Sequence, residues 1–181
     1  MNNIWFTADT HFGHCNIIKY CNRPFTDWED MNEGIIKRFA EVIRTGDTLY
    51  HLGDVCHTGF PVAKFLDRLP LIQVHLIQGN HDKLKLLVHP KIVWTGQLKS
   101  IHHNLSPTGR LNFQLLHYPM RSWNHKGHGA YHLFGHCHGS LPGWDRSMDV
   151  GVDTHEFYPY HLDEIHQRLK DIPIFSTEVW N

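Results

Sequence analysis

Seven residues have the types and spacing of a metal site: Asp9, His11, Asp54, Asn80, His117, His136 and His138. They fall in five short stretches: Asp9-Thr10-His11, Gly53-Asp54, Gly79-Asn80-His81-Asp82, a lone His117, and Gly135-His136-Cys137-His138. Carboxylate and amide oxygens suit Mg or Mn, whereas imidazole suits Zn, Fe or Ni. A mixed set without thiolate therefore points to a borderline divalent ion such as Mn, Fe, Ni or Zn. The set is larger than one catalytic zinc needs, and it suits two ions sharing a bridging carboxylate. Histidine is abundant, with 18 in 181 residues, and imidazole is the commonest metal ligand. The glycines before Asp54, Asn80 and His136 let the backbone turn sharply and approach an ion closely.

Ligand sets of this kind need elements that bring distant stretches of chain together. Ile4 to Ala8 reads as a buried strand running into Asp9. Residues about 28–44 read as an amphipathic helix, with Met31, Ile35, Ile36, Phe39, Val42 and Ile43 on one face. Thr48 to Leu52 is a second strand, Pro61 to Leu69 a short helix, and Leu71 to Ile77 a third strand. The second half is richer in strands, at about 91–95, 98–103, 111–117, 131–135 and 147–152. A helix near 161–170 carries Leu162, Ile165 and Leu169 at spacings of three and four. This order predicts a mixed α/β protein with sheet on sheet, in one domain over residues 1–181. The polar stretches sit where strands end, which is where open α/β sheets bind their ligands.

Composition narrows the classes. Lys and Arg number 17 against 18 Asp and Glu, so the net charge of -1 argues against a broad electrostatic grip on nucleic acid. No apolar run reaches the roughly 18 residues of a membrane helix. The N-terminus lacks a basic start followed by an apolar stretch, so no secretory signal is expected. The four cysteines form no CxxC pair and read as reduced thiols of a cytoplasmic protein.

The five stretches, in this order and spacing, resemble the calcineurin-like metallophosphoesterase superfamily, whose pattern is DxH, GD, GNH(D/E), H and GHxH. The resemblance implies a four-layer α/β/β/α sandwich of two mixed sheets flanked by helices. It implies two divalent metal ions, Mn foremost, with Fe, Zn or Ni as alternatives. Asp9, His11, Asp54 and His138 would hold the first; Asp54, Asn80, His117 and His136 would hold the second. The implied reaction is hydrolysis of phosphate esters, phosphodiesters above all, by a hydroxide shared between the ions. His81 would be the acid that protonates the leaving group, with Asp82 orienting its ring and His57 touching the phosphate or the leaving group. Asp82 read on its own is equally a helix N-cap for the turn that follows.

Arg121 could fork onto a phosphate, Trp123 could stack on a flat group, and His125 is a further candidate for substrate contact; Arg23, His14 and Asn16 could also line the cleft. Trp123 could equally be a core aromatic. The expected substrate is small and phosphorylated, a nucleotide or a short single strand of nucleic acid among the options. A small nuclease and a non-catalytic scaffold on the same fold are the alternatives. With little chain beyond the shared core, the cleft should be open, and selectivity should come from loops 12–27, 56–60 and 118–130.

Overall fold

A computed structural model describes residues 2–57, 59–83, 85, 87–106 and 109–174. Strand β1 (Ile4–Thr7) is followed by α1 (Cys15–Tyr20) and α2 (Trp28–Val42). Then come β2 (Thr48–His51), α3 (Ala63–Leu66), β3 (Gln73–Ile77) and β4 (Ile92–Gly96). The second half contains β5 (Leu98–Ser106), β6 (Gly109–Leu116), β7 (Tyr131–Phe134), β8 (Ser147–Asp149), β9 (Tyr160–His161) and α4 (Leu162–Leu169). Among the described residues no helix is long and apolar enough to cross a membrane.

The strands form two mixed sheets. The first runs β4-β3-β2-β1-β9, with β1 to β4 parallel and β9 antiparallel to β1. The second runs β5-β6-β7-β8, antiparallel between β5 and β6 and parallel thereafter. Period-two alternation separates the faces. On the first sheet Leu49, Val74 and Leu76 face α1, α2 and α3 in one core with Ile17, Ile35, Phe39 and Phe65. Phe6, Leu52 and Ile77 face the second sheet, where Phe113, Leu115, Tyr131 and Leu133 complete an inter-sheet core. The α4 residues Leu162, Ile165 and Leu169 join that core. This is the expected sandwich of two mixed sheets flanked by helices. The far face of the second sheet carries Gln114, His132 and Phe134. His132 there lies under the 118–130 segment, against the Trp123 ring and the Met120 N–H.

Local signals account for most boundaries. Asp27 caps α2 by accepting from the Asp30 N–H, and the helix stops where Ile43 turns extended, a little before the expected 44. Two elements escaped the sequence. The 12–27 stretch, read as loop, contains α1, which buries only Ile17 and so has no periodicity to show. The two residues of β9 are too few to alternate visibly. The helix expected over 61–69 shortens to Ala63–Leu66.

Candidate metal centre

Five of the seven candidate ligands lie in left-handed backbone: Asp9 (φ 58°), His11 (51°), Asp54 (54°), His136 (69°) and His138 (48°). Such geometry at a non-glycine residue costs on the order of 1–3 kcal/mol and persists only where the surroundings enforce it. Close packing between the turns does the enforcing. The Asp9 N–H donates to Gly53 O and the His11 N–H to Asp54 O, each at 3.0 Å, which staples the first turn to the second. A Cβ on Gly79 would lie 2.5 Å from the Asp54 nitrogen, and one on Gly135 would lie 2.7 Å from Asp9 Oδ2. Only glycine lets these turns approach so closely.

The structure brings all seven residues to one edge of the sandwich. Asp9, His11 and His138 offer ligand atoms within 4.8 Å of one another, and so do Asp54, His117 and His136. Asp54 stands between the groups, its Oδ2 3.5 Å from both His11 Nε2 and His117 Nε2. Asn80 Oδ1 lies 3.0 Å from His117 Nε2 and 3.0 Å from His136 Nδ1.

The donor set fits a cation. His117 Nδ1 donates to Leu52 O at 2.7 Å, so its Nε2 is the nitrogen that faces Asn80 Oδ1 and Asp54 Oδ2, and the proton that Asp54 and Asp9 hold there is the one a cation would replace. Asp9 Oδ1 and both ring nitrogens of His11 are buried without a hydrogen-bond partner. A buried unpartnered polar group costs roughly 1–3 kcal/mol, and a divalent ion would satisfy several at once.

Electrostatics agrees. Burial pushes the Asp9 carboxyl up to about 7, and it pushes His11 down to about 2. Burial alone would lower His138, but hydrogen bonds with Asp153 and Cys21 and the charge of Asp9 carry it up to about 10. Burial would raise Asp54, yet His117 and the His81 N–H hold it at about 2. Sites shaped for cations hold protons until a cation displaces them.

The other candidates divide. The exposed His81 ring lies 5.3 Å from that of His11, and its backbone N–H donates to Asp54 Oδ1 at 2.9 Å. His57 stacks on His14 at 4.4 Å, and His14 in turn lies 5.4 Å from His11. Asp82 departs from its expected role. Its carboxylate accepts from the N–H groups of Asp54, Val55 and Gly79, so it braces the two ligand turns instead of orienting the His81 ring. The turn it was expected to cap falls partly outside the described residues, at 84 and 86.

Trp123 is also corrected. It is 6% exposed, donates through Nε1 to Ala130 O and packs on His132, so its face is not available for stacking. Two exposed aromatics lie nearby: Tyr118, its ring 4.7 Å from that of His136, and Trp144, which carries the Arg121 guanidinium 3.9 Å above its ring. Arg121 and Trp144 line a cavity of about 370 Å³ with Met120, Phe134 and Leu141. His125 is exposed, with its ring 5.9 Å from that of His128.

Sequence reasoning missed Asp153, which meets His138 Nδ1 at 2.7 Å, and it placed Arg23 in the cleft wall. Arg23 is instead buried behind the ligand turns, on Asp153 and on the Asp9 and Thr10 carbonyls. No motif links residues 130 positions apart; the faint signal was an acid following the last strand of the second sheet.

Comparison with known proteins gives the family. The model of the calcineurin-like phosphoesterase family matches residues 3–175, and the chain belongs to that family. It is 35% identical over 182 residues to an uncharacterized protein of Methanocaldococcus jannaschii, covering 98% of this chain and 97% of that protein. It is 26% identical over 208 residues to the Gene 66 protein of Mycobacterium phage D29, covering 95% and 98%. Among solved structures, a protein of unknown function from Aquifex aeolicus shares the fold, with a TM-score of 0.73 at 23% identity, covering 93% of this chain and all (100%) of that one.

Proposed function

We propose that the protein is a hydrolase that uses two divalent cations, Mn foremost, to cleave phosphate esters, phosphodiesters above all, in the cytoplasm. The observation that carries this reading is Asp54 Oδ2, set 3.5 Å from a histidine of each ligand group. Asp9, His11, Asp54 and His138 would hold one ion, and Asp54, Asn80, His117 and His136 the other. Bound there, the cations neutralise phosphate charge and make water acidic enough to attack near neutral pH.

The chain's own residues do the rest. The His81 N–H to Asp54 bond anchors the turn that presents the His81 ring beside the centre. From there the ring can hand its proton to the departing alkoxide. Asp82 fixes the Asp54 and Gly79 turns through their N–H groups, so its contribution is rigidity. Asn80, His81 and His136 are exposed, and the second ester substituent of a phosphodiester can lie in solvent on that side. The Arg121 guanidinium on Trp144 offers a flat cationic surface to a small phosphorylated ligand such as a nucleotide. The four cysteines are free thiols, which supports the cytoplasmic assignment.

The test is turnover of aryl phosphodiesters and monoesters by the Mn-loaded protein against Asp54→Asn. Metal-dependent release, faster on diesters and absent from the variant, is expected; equal release by both proteins would overturn the reading. Degradation of a short single strand that weakens steeply with salt would move the substrate class to nucleic acid.

A further inference from the structure

We infer that Asp153, clamped by Arg23, is the positioning residue that aims His138 at the first metal site; the inference rests on the metal centre proposed above. Asp153 Oδ2 accepts from His138 Nδ1 at 2.7 Å, which leaves Nε2 as the nitrogen free to meet Asp9 and His11. A carboxylate on the outer nitrogen of a metal-binding imidazole fixes the tautomer, locks the ring and strengthens the ligand.

Arg23 holds that carboxylate in place. Its Nε donates to Asp153 Oδ1 and its Nη2 to Oδ2, both at 2.7 Å, in a two-pronged fork. The same Nη2 donates to Asp9 O at 2.7 Å, and Nη1 donates to Thr10 O at 3.1 Å. One guanidinium therefore ties the turn that carries Asp9 and His11 to the acid that carries His138. Asp153 lies in the short turn after β8, and Arg23 lies between α1 and α2. Asp9, His11 and His138 all sit in left-handed backbone, so their spacing depends on such outside support.

A buried ion pair can be merely structural, and the molecule contains a control. Lys126 Nζ lies 3.2 Å from Asp145 Oδ2, with both side chains buried and no candidate ligand attached. Manganese binding to the intact protein, followed by calorimetry and elemental analysis, separates the two roles. Asp153→Ala should weaken one of the two sites by about 10–100-fold, leaving one tightly held ion. Asp153→Asn, which can still accept from His138, should lose less. Asp145→Asn should lower the melting temperature and still hold two ions. Nitrogen-15 NMR of the zinc-loaded wild type gives a measurement independent of how the variants fold: His138 should carry a proton on Nδ1 and the metal on Nε2. Wild-type affinity at both sites in Asp153→Ala, or metal on Nδ1, would overturn the inference alone. A wild type that takes up no divalent ion would overturn the metal centre itself.

Discussion

The two halves of the candidate centre are built differently. In the first, Asp9 is 0% and His11 1% exposed, and His138 is braced from behind by Asp153 and Arg23. In the second, His117 is buried on Leu52 O, but Asn80 and His136 face solvent, and His136, in left-handed backbone, meets Asn80 through its ring Nδ1. A buried, braced group favours tight retention of an ion, and an open one favours contact with incoming substrate. Asp54 belongs to both, and it makes the two halves one site.

The largest effect should come from breaking that link. Asp54→Asn removes the shared carboxylate charge, and it should lower kcat by about 10³-fold or more, because several kcal/mol of metal-derived stabilisation is lost. Steady-state kinetics with the metal content measured in parallel checks this.

Next comes the solvent side. His81→Ala should slow alkyl phosphate esters by about 10²–10⁴-fold and nitrophenyl esters far less, since those leave without a proton. Equal losses on both would remove His81 from the role of acid.

The proton inventory should then separate the halves. At pH 6, Asp9 with its carboxyl at about 7 and His138 at about 10 both hold protons, so filling the first group should release about two. Asp54, at about 2, has none to give and His136 is lowered by burial, which leaves His117, raised against burial by Asp54 and Asp9, as the proton source of the second group, so the second ion should release fewer. Affinity should rise with pH accordingly. Calorimetry in buffers of different ionisation heat reads both numbers.

The smallest effect lies away from the centre. Burial holds His132 at about 4, below its ordinary 6.5, with Nδ1 facing Gln114 O and Nε2 accepting from the Met120 N–H. The unfolded chain therefore takes up the proton first. Its contribution is whole above pH 6.5 and fades as pH falls toward 4, a loss on the order of 3 kcal/mol. Urea midpoints across that range should fall in the wild type and fall less in His132→Gln. Metal should not restore this component.

Legibility followed the same division. The residues at strand ends could be read because short turns after strands carry their own motif, and the structure gathers all seven at one edge. The supports could not be read, because they act across the fold. Arg23 and Asp153 meet only after the β1 turn and the end of the second sheet come together. Asp82 looked like a partner for the neighbouring His81, but its oxygens turn to backbone N–H groups of the Asp54 turn, 28 and 27 residues away. Trp123 and Trp144 are alike in sequence terms; only the packing of the 118–130 segment on His132 decides which is buried.

The most direct measurement is an anomalous difference map from crystals grown with manganese. The account predicts two peaks per chain, one among Asp9, His11, Asp54 and His138 and one among Asp54, Asn80, His117 and His136, with Asp54 touching both. A single peak, or peaks that leave Asp54 out, would contradict it.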